Sequence, residues 1–142
     1  MSTTVDASFI SHARIPSQLV LEAVALLDDL VTARTRLIAP ILLKIEFAST
    51  LRRLHSRGVI SGAGRLRLWA GLDSLPIEYV WDPGWIDRAL EIAEAAGLSS
   101  VYDSIYLACA ESFAFELVTC DARFVRAASP VSSAAIRLVD HR

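Results

Sequence analysis

Two cysteines, one lysine and no apolar run long enough to span a bilayer set the first limits on this chain. Cys109 and Cys120 sit in apolar or strand-end surroundings without metal-ligand spacing. A disulfide framework is therefore not expected, and a reducing, cytoplasmic setting is. The N-terminus lacks the basic segment and long apolar stretch of a secretion signal. Linkers, repeats and low-complexity tracts are missing too. The chain is not short of apolar residues: they make up 54% of 142 positions, enough for a core and too many for disorder. One domain spanning residues 1–142 is the expectation.

Charge is scarce in sum but uneven in place. The net charge of -2 argues against a surface that attracts nucleic acid everywhere. From Lys44 to Arg67, however, Lys44, Arg52, Arg53, Arg57, Arg65 and Arg67 join His55 against the single acid Glu46. That stretch is either a phosphate-attracting face or an ordinary solvated pair of helices.

Apolar spacing alternates between helical and strand-like runs. Strand candidates are Thr3–Val5, Thr35–Ala39, Pro76–Trp81, Leu117–Val118 and Ala135–Val139. Helical patterns separate them: from Ala7, from Pro16, near Ile41, from Ser61, from Trp85, around Val101–Glu111 and from Asp121. The helix near Ile41 shows an apolar stripe of Ile41, Leu42, Ile45, Ala48 and Leu51. Those near Ser61 and Trp85 show Leu66, Trp69 and Ala70, and Ile86, Ala89, Leu90 and Ala93. Gly58 and Gly97 mark helix ends. This alternation predicts a three-layer α/β/α sandwich around a mostly parallel sheet. Such sheets bind ligands at the carboxyl ends of their strands.

Four acids stand where that rule matters. Asp6 follows the first strand and Asp121 the fourth, while Glu46 and Asp103 lie on helices. Each has a structural alternative. Asp6 and Asp121 suit N-caps. Ser100-Val101-Tyr102-Asp103 fits a capping box, although Asp reaches back less well than Glu. Glu46 is either an exposed helix residue or a buried acid needing a partner, and Arg52 and Arg53 are badly spaced for that role. If the four converge, charges about 5 Å apart repel by about 3 kcal/mol at an effective dielectric of 20. The site must then hold protons or bind a cation. An all-oxygen set favours Mg²⁺ or Mn²⁺ over zinc.

These motifs resemble a known family. Val5-Asp6-Ala7-Ser8, Ile41-Leu42-Leu43-Lys44-Ile45-Glu46, Tyr102-Asp103-Ser104-Ile105-Tyr106-Leu107-Ala108 and Leu117-Val118-Thr119-Cys120-Asp121-Ala122-Arg123-Phe124 look like the PIN-domain ribonucleases, and among them the VapC-type toxins of bacterial toxin–antitoxin pairs. The resemblance implies an endoribonuclease dependent on Mg²⁺, or Mn²⁺, with Asp6 and Asp103 as principal metal ligands. Glu46 and Asp121 would complete the cluster through waters, and Thr119 and Ser8 would orient it. It also implies homodimers or larger assemblies, an antitoxin protein that blocks the site, and RNA bordered by Lys44, Arg52, Arg53 and Arg57. The first strand is shorter and more polar than the family pattern, and Ser104 stands where Ala is frequent. A phosphatase would want a second Asp at Ser8, and a phosphorelay receiver a late lysine, which is missing because Lys44 is the only one. The competing reading is a non-catalytic scaffold or partner-binding module whose acids act only as caps. On that reading Trp69, Trp81 and Trp85 could line a partner surface, although such residues are more often core.

Overall fold

The computed structural model describes residues 1–140; positions 141 and 142 of the expected domain lie outside the described residues. Among the described residues five strands form one sheet: β1 (Ser2–Val5), β2 (Arg36–Pro40), β3 (Ile77–Val80), β4 (Glu116–Thr119) and β5 (Ile136–Leu138). Their order is β3-β2-β1-β4-β5, and every pairing is parallel. The mostly parallel sheet expected from the sequence is thus wholly parallel among the described residues.

Among the described residues seven α-helices connect these strands: α1 (Ala7–Arg14), α2 (Leu21–Thr32), α3 (Leu42–Ser56), α4 (Gly62–Asp73), α5 (Gly84–Ala96), α6 (Tyr102–Phe113) and α7 (Ala122–Ala128). From β1 the chain moves through β2 to β3 in one direction. It then returns across the sheet to β4 and continues to β5. Right-handed crossovers place α1–α4 on one face and α5–α7 on the other. Helix packing agrees, since α1 lies against α2 and α3, while α5 lies against α6 and α7. The direction of winding reverses between β1 and β4. The ends of those two strands are therefore the topological switch point where open α/β sheets bind ligands.

The short polar β1 is the centre of the sheet. Thr3 and Thr4 are buried, and the Thr3 hydroxyl donates to the Glu116 carbonyl at 3.1 Å. Their β-branched side chains suit an extended backbone, so polarity does not prevent burial. α6 is enclosed on nearly all sides: Ser104 through Ala110 are buried between α5 and the sheet. Arg88 of α5 clamps that helix, giving Glu111 two bonds of 2.8 and 3.1 Å.

Several helices turn a different stripe inward than the simple periodic count suggests. α3 buries Leu43, Phe47, Leu51 and Leu54, leaving Ile41 and Ile45 exposed. α5 buries Trp85, Ala89, Ile92 and Ala93 and exposes Ile86 and Leu90. In α4 it is Leu72 that is buried, while Leu66 is exposed. The helical pattern at Pro16 splits into a short 3₁₀ turn, Pro16–Gln18, and then α2. Gly58 and Gly97 do close helices, both with left-handed φ, at 74° and 70°.

Candidate active site

Asp6 lies one residue beyond β1, where the backbone is extended before it turns into α1. Its Oδ1 accepts the Phe9 amide at 2.9 Å, so it does cap α1. The same oxygen accepts the Ser8 hydroxyl at 2.8 Å. That single proton fixes a chain of donors. Ser8 Oγ donates to Asp6, so the Thr119 hydroxyl must be the donor in its 3.1 Å contact with Ser8. Ser8 also accepts the Cys120 amide at 3.0 Å, and Thr119 accepts the Asp121 amide at 3.1 Å. The two hydroxyls read from the sequence thus join the ends of β1 and β4 and aim Asp6. Asp121 sits at the other end of this chain and caps α7, accepting the Phe124 amide at 3.0 Å.

Asp103 forms no capping box. Val101 is the N-cap residue of α6 without a side-chain cap bond, and Ser100 Oγ accepts the Tyr102 amide at 3.3 Å instead. The Asp103 carboxylate is left facing a cleft of about 550 Å³ that Asp6, Ser8 and Glu46 also line. A second recess of about 430 Å³ adjoins it through Asp103 and holds Asp121, Ser99, Ser100 and Arg123. Asp103 therefore stands where the two hollows meet.

Glu46 finds its partner on the opposite helical layer. Tyr106, 1% exposed, reaches from α6 and donates its phenol to Glu46 Oε1 at 2.5 Å. Burial first, and then the Glu46 carboxylate, push the Tyr106 phenol far above its ordinary value, so it remains a donor. Tyr106 lies three residues after Asp103 on the same helix face, a spacing that marks it in the sequence as a neighbour of Asp103 but not as the partner of Glu46. His12, Gln18, Ser49, Thr50 and Tyr102 also line the cleft.

The electrostatics are those of an acid cluster. Asp6 is 4% exposed, and burial raises its carboxyl from 3.8 to about 6; the neighbouring Thr119 hydroxyl, which reaches it through Ser8, and the Phe9 and Ser8 donors hold it back, while the Glu46 charge adds to the rise. Asp103 is exposed as a residue, yet its carboxyl is pushed up to about 7. Desolvation against the cleft comes first, then the charges of Asp6, Asp121 and Glu46. None of the four acids forms an ion pair among the described residues. Cys120 offers no thiolate, since burial pushes it up to about 12, followed by the charges of Asp6 and Asp140.

The basic residues divide. Arg53 lines the acidic cleft. Arg52 lines a separate recess, and Arg57 is exposed beyond the end of α3. Lys44 turns away, with Nζ 3.4 Å from Asp73 and 4.9 Å from the centre of the Tyr79 ring.

An ion at this site would not be caged by protein. Among the described residues no group of three or more His, Cys, Asp or Glu side chains is placed to hold a metal ion. The donors fit a hard divalent ion that takes one or two carboxylates and keeps several waters, as Mg²⁺ does. Asp6 and Asp103, the two acids whose carboxyls burial raises, are the residues that would hold it.

The family model for the PIN domain matches residues 3–130. The chain belongs to the PIN domain family. Solved PIN-like structures agree in shape. PAE2754 from Pyrobaculum aerophilum is 24% identical, covers 99% of this chain and 89% of its own, and superposes with a TM-score of 0.69. VapBC2 from Rickettsia felis, bound to a DNA fragment from its promoter, is 14% identical, covers 99% and 98%, and has a TM-score of 0.67. VapBC-5 from Mycobacterium tuberculosis, of the VapBC family of toxin–antitoxin systems, is 19% identical, covers 97% and 98%, and has a TM-score of 0.54. At these identities the likeness is one of fold. No curated protein sequence matches this PIN domain.

Proposed function

We propose that this PIN domain is a Mg²⁺-dependent endoribonuclease and the toxin of a toxin–antitoxin pair. One observation carries the reading: Asp6, Glu46 and Asp103 arrive from three elements at one cleft, and among the described residues no basic side chain forms an ion pair with them. The likeness to VapBC structures supports the toxin assignment.

Asp6 and Asp103 hold the ion, with Mn²⁺ the other fit to this donor set. Asp121 acts from the adjoining recess. A bound divalent ion supplies water activation and offsets charge building on the scissile phosphate. Ser8 and Thr119 keep Asp6 from rotating. Glu46 takes the Tyr106 bond on Oε1, which leaves Oε2 to accept a proton from the attacking water. Arg53, in the same cleft, pairs with the phosphate. Ile45 and Tyr102 are exposed at the cleft and offer apolar surface to an antitoxin segment that closes it. Homodimers, or larger toxin–antitoxin assemblies, and a cytoplasmic setting belong to the same proposal. No helix among the described residues is long and apolar enough to cross a membrane.

A second reading, a non-catalytic scaffold, is favoured by the caps that Asp6 and Asp121 make and by the missing three-acid group. Cleavage of total cellular RNA by the purified chain, freed of any partner, separates the two. The assay is run with Mg²⁺, with Mn²⁺ and with chelator, beside Asp103→Asn. Ion-dependent cleavage lost in Asp103→Asn is the expected result. Intact RNA throughout, with no ion-induced rise in melting temperature, selects the scaffold.

A further inference from the structure

Arginines without an ion pair gather on α3 and α4, and Arg14, Arg34, Arg123 and Arg126 likewise meet no carboxylate among the described residues. Arg36, Arg88 and Arg137 each meet a glutamate. Arg52, Arg53, Arg57, Arg65 and Arg67 meet no carboxylate among the described residues. Five like charges, four on two packed helices and Arg57 just past the end of α3, repel one another, and an anion lowers that cost.

Two of them frame something other than a phosphate site. Arg52 and Arg65 line a recess of about 170 Å³ whose remaining wall is Ala48, Leu51 and Trp69. Leu51 is 2% exposed, and Trp69 is half-buried, packed on the core while also lining the hollow. The recess therefore pairs an apolar, aromatic wall with two cations. Planar rings on a charged backbone match that chemistry: the face stacks on indole and the flanking phosphates meet guanidinium groups.

The recess is also placed for a strand that enters the acidic cleft. Arg53 lines the cleft and Arg52 lines the recess, and consecutive residues are about 100° apart around a helix. Both hollows thus open beside the solvent face of α3, on which Ser49 and Arg52 are exposed. A chain of nucleotides leaving the acids can follow Arg53 across that face to Arg52, Arg65 and Trp69.

We infer that the Arg52–Arg65–Trp69 recess is a nucleobase subsite, which receives an unpaired base of single-stranded RNA a short way along the strand from the cleaved phosphate. The ligand class rests on the nuclease reading; the subsite itself rests on the recess and its unpaired arginines. A duplex keeps its bases stacked inside and cannot present a free face here. The subsite selects single-stranded segments without reading a defined sequence.

The test is fluorescence-anisotropy binding of a labelled uridylate octamer and of an abasic strand of equal length, with chelator present to prevent cleavage. Wild type is expected to favour the uridylate strand. Trp69→Leu should weaken uridylate binding at least about fivefold, the low end for one stacked base, and leave abasic binding unchanged. Trp69→Phe should retain the preference. Arg65→Gln, an outer-rim change that spares the core, should weaken both strands and reduce the salt slope by about 0.7, one phosphate contact on a single strand. Melting temperature reports whether each variant is folded. Loss on both strands alike for Trp69→Leu, or loss on neither, overturns the subsite. A wild type that cleaves RNA while Trp69→Leu and Arg65→Gln bind like it sinks the subsite and spares the nuclease. A wild type that binds neither strand and cleaves nothing removes both. Preference for an acidic peptide over both strands assigns the arginines to a protein partner instead and overturns the subsite.

Discussion

Ser8 uses its whole hydrogen-bonding capacity: one proton to Asp6, and two lone pairs for Thr119 and the Cys120 amide. This fixes one oxygen of Asp6 in a buried setting without neutralising it. The consequence is a pH dependence of unusual sign for a carboxylate. Because the folded Asp6 carboxyl is raised from 3.8 to about 6, the folded chain binds its proton more tightly than the unfolded chain does. Its contribution to metal-free stability is complete below pH 3.8 and is lost as pH rises through about 6, on the order of 3 kcal/mol in all. Asp103, pushed up to about 7, extends the loss to that pH. Glu111 acts in the opposite sense and in another window. Burial pushes its carboxyl up, but Arg88 and Ser133 outweigh this and hold it below 4.5, so its contribution is lost only as pH falls below that value. Urea midpoints measured without divalent ions should therefore be higher near about pH 5 than near about pH 7.5. Asp6→Asn should flatten that difference. An equal or higher midpoint at the upper pH in the wild type would refute the assignment.

Between elements, the bond that matters most is Tyr106 to Glu46, because it ties α6 of one layer to α3 of the other at the rim of the cleft. Tyr106→Phe keeps the buried ring and removes only the hydroxyl. Hydrogen bonds to charged groups contribute about 1.5–3 kcal/mol, and the half-buried Glu46 puts this one near the low end, about 1.5 kcal/mol. A cycle of Tyr106→Phe, Glu46→Gln and the double variant should show coupling of about 1 kcal/mol in denaturant midpoints. Additivity within about 0.3 kcal/mol would mean that the two side chains act independently. Cleavage by Tyr106→Phe should fall through kcat, since Glu46 loses its orientation, while the ion-induced stabilisation carried by Asp6 and Asp103 persists. This bond also shows what a sequence can reveal at this scale. The acid on α3 was visible as one needing a partner, and Asp103 as a group facing a pocket. The partner was not visible, because 60 residues separate Tyr106 from Glu46 and only the crossover between layers joins them. The inward stripes of α3 and α5 were misplaced for a related reason. Both helices carry apolar residues on more than one side, and the sheet's position, not the periodicity, decides which side is covered. β1 looked weak because Thr3 and Thr4 are polar; its central place comes from pairing with both β2 and β4.

At the scale of the whole molecule, the winding reverses at β1 and β4, and this brings the acids together from separate parts of the chain. Asp6 comes from the β1–α1 junction and Asp103 from the first turn of α6, on opposite helical layers. An ion held by both would act as a clasp between the layers, whereas without one their like charges press the layers apart. The chain should accordingly be stabilised as a unit by Mg²⁺. At an ion concentration about 100 times the dissociation constant, linkage contributes about 2.7 kcal/mol, which for 142 residues raises the melting temperature by roughly 8 °C. A monovalent salt of equal ionic strength controls for simple screening and should achieve much less. In Asp103→Asn the ion response should disappear while the metal-free melting temperature near neutral pH rises, since one of the repelling charges is gone. Equal responses to Mg²⁺ and to the monovalent salt, or a lower metal-free melting temperature in Asp103→Asn, would show that the acids serve their own helices and not a shared ion.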